Sequence, residues 1–161
     1  NNKSHWENVF ATKSPNEVSW TQTYPTTSMK YIESLQLSKS ANIIDIGGGD
    51  SNLVDVLLEN GYENIWVLDI SEFALERAKK RLGKKANKVH WIVSDITEFE
   101  TNIKFDFWHD RAVFHFLTEE ENIDKVSHNR RKAQITVTGI MDRTNEKFSF
   151  NTSLYISPLS Q

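Results

Sequence analysis

Three consecutive glycines, Gly47-Gly48-Gly49, stand between a short apolar run and the start of a helical pattern. This junction constrains the fold more than any other feature of the chain. The run before it is Asn42-Ile43-Ile44-Asp45-Ile46. After it come Leu53, Val54, Val56, Leu57 and Leu58, with Gly61 where a helix C-terminal glycine belongs. Glycine permits backbone angles closed to other residues and lets a ligand come close to the main chain. The helix behind the turn offers unpaired N–H groups to an anionic group. Glycine-rich turns also serve as plain structural turns, so the loop alone leaves both readings open.

The pattern repeats along the chain. Ile65-Trp66-Val67-Leu68 reads as a second strand ending at Asp69. Ser71 can cap the next helix, whose Ala74, Ala78 and Leu82 share one face and which Gly83 ends. Val89-His90-Trp91-Ile92-Val93 is a third strand, followed by Ser94-Asp95. Phe105-Asp106-Phe107-Trp108 begins a fourth, followed by His109-Asp110-Arg111, and Thr118 can cap a short acidic helix to about Val126. These strands are continuously apolar rather than alternating, as a parallel sheet covered on both faces requires. The expected class is α/β, a Rossmann-like, mostly parallel sheet flanked by helices.

The two ends read differently. Residues 1–40 form a polar helical approach, with Thr27 or Ser28 capping a helix through Leu37 on which Met29, Ile32 and Leu35 keep helical spacing. At the other end, 133–139 reads as a strand, Asp142-Arg143-Thr144-Asn145 as a turn, and 147–156 alternates as a two-faced strand. The expectation is an antiparallel hairpin at the sheet edge.

Two polar positions extend the glycine loop. Asp69 ends the second strand about 20 positions beyond Gly47, where an acidic residue accepts hydrogen bonds from ribose hydroxyls. It reads also as a turn or cap aspartate. Asp95 follows the third strand at the same sheet edge. A carboxylate there can accept from an exocyclic amine with Ile96 against a flat base, or simply cap the next turn. Polar groups at the carboxyl ends of consecutive parallel strands follow the rule for ligand sites in open α/β sheets.

With these residues in order the chain resembles the class I S-adenosylmethionine-dependent methyltransferases. The resemblance rests on Asp45 before Gly47 and Gly49, on Asp69, on Ser94-Asp95-Ile96, and on Asp110-Arg111-Ala112-Val113-Phe114-His115. Glu17-Val18-Ser19-Trp20-Thr21-Gln22 is similar to a segment preceding the core in some members. It implies S-adenosylmethionine as cofactor, with S-adenosylhomocysteine as product. Asp45, Gly47, Gly48, Gly49, Asp69, Ile70, Asp95 and Ile96 are the implied cofactor residues. It implies one domain over 1–161, with a helical cap segment at 1–40, a cofactor-binding core at 41–126 and an atypical end at 127–161. A full sheet of the family has seven strands, and the residues after Ile140 are too few for its last helix and strands. The expected C-terminal part is therefore shortened. The alternatives are a cofactor-binding module without catalysis and a dinucleotide enzyme. Asn52, where Gly-x-Gly-x-x-Gly needs its last glycine, argues against the second.

Methyl transfer needs alignment more than covalent help. Asp110, His109 and His115 are the candidate bases, with Asp110 and His115 the leading pair. Each has a structural reading: Asp110 paired with Arg111, His115 packed in Val113–Leu117, His109 facing away. Trp20 and Tyr24 are candidate lid or substrate contacts, or core anchors. The basic run Arg77, Lys79, Lys80, Arg81, Lys84 and Lys85 reads as a solvated face, and Arg130-Arg131-Lys132 as a loop. The five histidines show no metal-ligand spacing, so no metal is expected.

Composition narrows the class. Nineteen Lys and Arg against 22 Asp and Glu leave a net charge of −3, which makes nucleic acid an unexpected partner. The chain has no cysteine, which removes disulfide, thiolate-zinc and cysteine-nucleophile chemistry and suggests the cytoplasm or another reducing compartment. No apolar run reaches membrane-spanning length, and no apolar stretch follows Asn1-Asn2-Lys3-Ser4, so neither a membrane anchor nor a signal peptide is expected. The expected partner is a small-molecule or protein methyl acceptor, with oligomeric state open. The Asn151-Thr152-Ser153 sequon is read as a chance match.

Overall fold

The structure, a computed structural model, describes residues 2–14, 23–110, 121, 124–126, 135–138, 140–141, 148–149 and 155–156. Trp20, His115 and Thr118 lie outside the described residues, as do most of the Asp110–His115 motif, the loop Arg130-Arg131-Lys132 and the sequon.

Chain order is α1 (Asn2–Thr12), α2 (Thr26–Ser34), β1 (Asn42–Ile46), α3 (Leu53–Glu59), β2 (Asn64–Asp69), α4 (Glu72–Leu82), a 3-10 turn (Gly83–Lys88), β3 (Val89–Val93), β4 (Phe107–Asp110), β5 (Ile135–Thr138), β6 (Ile140–Met141), β7 (Phe148–Ser149) and β8 (Tyr155–Ile156). The main sheet runs β3-β2-β1-β4-β5-β8, parallel except for the antiparallel β5–β8 pair. Ile46 lies beside both Leu68 and Asp110, and Asp69 beside Val93. The carboxyl ends of β1 to β4 therefore share one sheet edge.

Alternation along the strands divides the apolar residues between two faces. Ile43, Ile65, Val67 and Phe107 point to one side and are covered by Met29 and Ile32 of α2, Leu53 and Leu57 of α3, and Leu75 and Leu82 of α4. Ile44, Ile46, Leu68 and Trp108 point to the other, against Ile96, Phe99, Phe105 and Val126. Burial on both faces is why these strands are apolar without a break.

Local departures from expectation have local causes. Helix α2 begins at Thr26 behind Pro25, whose ring restricts its φ, with no side-chain cap. Ser28 falls inside the helix instead of capping it. Strand β4 begins two residues late. Asp106 exchanges hydrogen bonds with Asn42, its N–H donating to the carbonyl and its carboxylate accepting from the amide, so the ladder with β1 starts at Phe107 and carries His109 and Asp110. The expected caps of α4 hold: Ser71 Oγ accepts from Ala74 N at 3.2 Å, and Gly83 closes the helix at φ 58°. The C-terminal hairpin divides into two antiparallel ladders, β5–β8 on the main sheet and β6–β7 as a separate pair. No helix among the described residues is long and apolar enough to cross a membrane.

Candidate functional site

The glycine turn sits where β1 runs out between β2 and β4. The N–H groups of Gly47 and Gly48 both donate to the Leu68 carbonyl, at 2.7 and 3.2 Å, and Gly47 adopts φ 66°. The next two glycines have little room. A Cβ on Gly48 would lie 2.6 Å from Asp45 Oδ2, and one on Gly49 would lie 2.6 Å from Asp69 Oδ2. Two carboxylates thus fill the space that side chains would occupy.

Asp69 makes the local turn its position suggested and also bridges to the glycine loop. Oδ1 accepts from Ser71 N at 2.8 Å, a local turn, and Oδ2 accepts from Gly49 N at 2.9 Å, across to the neighbouring loop. Burial pushes its pKa up from 3.8 to about 6, against the opposing pull of the Ser71 and Gly49 N–H groups and with help from the charges of Asp45 and Glu7. It stays mostly ionised at neutral pH. Each oxygen keeps acceptor capacity beyond its backbone bond.

Asp45 is 2% exposed. Oδ1 meets His109 Nδ1 at 2.7 Å, and His109 Nε2 meets Ser28 Oγ at 2.9 Å. Oδ2 is buried with no hydrogen-bond partner among the described residues. A buried acceptor in that state costs roughly 1–3 kcal/mol, so a donor is wanted there. His109 is turned toward Asp45 and α2, and is 3% exposed. That geometry removes it from the candidate bases: both ring nitrogens are engaged inside the protein.

Asp95 is half-buried, and its Oδ1 accepts from Thr97 N at 2.9 Å and Thr97 Oγ1 at 2.8 Å. Ser94 N donates to the Asp69 carbonyl at 3.0 Å, which keeps this turn beside β2. Ile70 is half-buried, whereas Ile96 belongs to the second apolar cluster. Asp110 is fully buried at the end of β4. Tyr24, just ahead of α2, is 50% exposed.

Other residues that hold the site gave no functional signal in the sequence. Arg77 is not part of a solvated face. It pairs with Asp50 at 2.7 Å and donates to the Phe10 and Lys13 carbonyls of the α1 end at 2.8 and 3.1 Å. Arg81 forks onto Asp55 at 2.6 and 3.0 Å and donates to the Ser51 carbonyl. Their spacing of four on α4 was the available signal, because it puts both on one helix face. Glu7 of α1 accepts from Ser71 Oγ at 3.1 Å and Glu72 N at 2.8 Å.

With Asp50 paired to arginine, the charges left facing the turn among the described residues are Asp45 and Asp69. That polarity suits a ligand bringing cationic donors and hydroxyls, and disfavours a pyrophosphate.

Comparison with known proteins agrees. A family profile described as a methyltransferase domain matches residues 43–133. The chain is 26% identical over 135 residues to eEF1A lysine and N-terminal methyltransferase of Mus musculus, covering 81% of this chain and 19% of that protein. Its counterpart in Bos taurus is 26% identical over 122 residues, covering 73% and 17%. The chain therefore spans about a fifth of the length of these curated relatives. Among solved structures, N-methyltransferase NodS of Bradyrhizobium japonicum, in complex with S-adenosyl-L-homocysteine, aligns with TM-score 0.66 at 20% identity, over 86% of this chain and 73% of that one. Phosphoethanolamine N-methyltransferase 1 of Haemonchus contortus aligns with TM-score 0.73 at 16% identity, over 99% and 35%.

Proposed function

The chain belongs to the methyltransferase-domain family, the class I enzymes that use S-adenosylmethionine, and we propose that it methylates an amine on a protein. The donor supplies a methyl group already activated on a positively charged sulfur. The chain has to hold that donor and align an acceptor with it. The observation that carries this reading is Asp45 Oδ2, a buried carboxylate oxygen beside the glycine turn without a partner among the described residues.

The remaining residues fit the same donor. Asp45 Oδ2 would accept from its ammonium group. Asp69, anchored by Gly49 and Ser71, keeps capacity for the ribose hydroxyls. Asp95, one oxygen held by Thr97, serves the adenine amine, with Ile70 and Ile96 beside the base. Gly47, Gly48 and Gly49 keep the approach free of side chains. An amine attacks only with its lone pair free, so a proton must leave it first. We assign that proton to Asp110 at the carboxyl end of β4, with His115 the alternative. Tyr24 and Trp20 are assigned to the acceptor side. The protein acceptor is supported by the two relatives named for lysine and N-terminal methylation of eEF1A.

Calorimetry with S-adenosylhomocysteine and NAD tests the donor, and labelled S-adenosylmethionine with a fractionated lysate tests the acceptor. Binding of the first ligand alone and label in protein amines are expected. Label only in small molecules overturns the protein acceptor. Binding without transfer makes the chain a cofactor-binding module. A folded sample that binds neither ligand overturns the donor assignment.

A further inference from the structure

Ser28, His109 and Asp45 form one hydrogen-bonded chain through the apolar layer between α2 and the sheet. Asp45 and His109 are register partners on adjacent parallel strands, with side chains on the same face. Ser28 lies on α2 above them. The contacts are 2.7 Å from His109 Nδ1 to Asp45 Oδ1 and 2.9 Å from His109 Nε2 to Ser28 Oγ, with all three residues buried. Phe107 stacks beside His109, 6.4 Å between ring centroids, and belongs with Met29, Ile32 and Ile43 to the apolar cluster on this face.

The same residue types make hydrolytic triads on other folds. Of the three, Asp45 stands at the glycine turn, its Oδ2 2.6 Å from where a Gly48 Cβ would lie, and Ser28 is separated from it by His109. The direction of the chain follows from Asp45 instead. An ionised carboxylate only accepts, so Nδ1 of a neutral His109 carries the proton and Nε2 accepts from Ser28. A protonated His109 would donate at both nitrogens, the second to the serine oxygen. In either state Oδ1 of Asp45 is occupied and its carboxylate plane is fixed.

Stability alone does not account for the trio. Apolar residues of similar volume fill such a layer as well as a buried polar chain, or better. Yet two polar side chains are committed here to holding a third, and among the described residues the third keeps one oxygen unpartnered at the glycine turn. We propose that His109 is a positioning residue. It fixes the Asp45 carboxylate so that Oδ2 faces the amino-acid end of the donor, and through Ser28 it makes that orientation depend on the seating of α2. This inference rests on the donor assignment above.

Two probes separate positioning from general support of the fold: S-adenosylhomocysteine, and 5′-methylthioadenosine, which lacks the amino-acid end. His109→Phe keeps ring volume but removes both contacts. It is expected to weaken S-adenosylhomocysteine by about tenfold or more, the scale of one charge-assisted hydrogen bond, and to leave methylthioadenosine within about twofold. His109→Asn, which can still donate toward Asp45, is expected to recover most of the loss. Ser28→Ala is expected to show a smaller loss of the same selectivity. Equal losses for both probes, or no loss for either, overturn the role of His109. Should His109→Phe not melt cooperatively, the comparison passes to His109→Asn and Ser28→Ala, with unselective effects again overturning it. Wild-type protein that binds neither probe overturns the donor assignment itself, and this inference with it.

Discussion

Gly49 donates its N–H to Asp69 Oδ2 at 2.9 Å, and a Cβ at position 49 would lie 2.6 Å from that same oxygen and 2.8 Å from Ala74 Cβ. The hydrogen bond therefore exists only because residue 49 is glycine. Gly49→Ala has to push the carboxylate away or shift α4, and overpacking of this kind costs about 1–3 kcal/mol. The variant is expected to unfold at lower urea with an unchanged m-value, and to lose S-adenosylhomocysteine affinity. Gly48→Ala should act through Asp45 instead, since its Cβ would meet Asp45 Oδ2 at 2.6 Å and Val67 Cγ1 at 2.8 Å. A wild-type urea midpoint in Gly49→Ala would contradict this packing.

Asp69 makes the site pH-sensitive in two opposite ways. Its pKa is about 6 in the folded protein, mainly through burial, against 3.8 as the ordinary value. Between those values the native state holds a proton that the unfolded chain releases. This group therefore removes stability as pH rises from about 4 through 6, by at most about 3 kcal/mol. With the ribose held as proposed, ligand binding runs the other way, because charge-assisted bonds to its hydroxyls need the ionised form. At about pH 5 some ten molecules are protonated for each one ionised, so affinity for S-adenosylhomocysteine should be roughly tenfold below its neutral value. Calorimetry and melting across pH 5 to 8 would check both slopes. Asp69→Asn should flatten the melting dependence near pH 6.

Asp69 also changes what an alanine there can be expected to do. From the sequence, Asp69→Ala removes a ribose contact and spares the fold. In the structure it leaves the Gly49 and Ser71 N–H groups without their acceptor. Unsatisfied buried donors cost about 1–3 kcal/mol each, offset in part by relief of the buried charge. The variant should lose ligand affinity and show weaker hydrogen-exchange protection at Gly49 and Ser71. Retained protection at both amides would count against the bridging role.

Arg77 ties three segments together: α4 itself, Asp50 after the glycine turn, and the Phe10 and Lys13 carbonyls at the end of α1. Arg77→Leu should free α1 from the core while leaving the sheet folded. Limited proteolysis is expected to cut near residues 10–14 faster, and global stability to fall by about 1–2 kcal/mol. Unchanged cleavage there would show that α1 is held by other contacts.

The elements nearest the glycine turn were legible because their signals are local. A continuous apolar run, a glycine break and a helical repeat are each contained within a few residues, so β1 to β3, α3 and α4 fall where the sequence predicts. The chemistry at Asp45 was not legible. Its partner His109 and the Ser28 that holds His109 lie 81 residues apart in sequence and meet only because α2 covers the β1–β4 pair. Ser28 resembled a helix cap since serine usually is one, but Pro25 starts the helix earlier. Arg77 and Arg81 resembled a solvated basic face because the pattern of a helix shows which residues share a side, and not which loop lies against it.

Glu7 offers a test of how far α1 reaches into the site. Its two oxygens accept from Ser71 Oγ and Glu72 N at the start of α4. A carboxylate at a helix N-terminus gains about 0.3–1 kcal/mol from the dipole. The same charge is among the causes that raise the Asp69 pKa, after burial and Asp45. Glu7→Gln keeps the size and one acceptor oxygen while removing the charge. Stability should fall by about 0.5 kcal/mol, and the Asp69 titration should move down toward the ordinary range, since a like charge has been taken away. Carboxyl NMR of Asp69 reads that shift directly, and a lower midpoint should extend ligand binding to more acidic pH. A midpoint unchanged in Glu7→Gln would place α1 outside the electrostatics of the site, leaving burial and Asp45 to raise Asp69 alone.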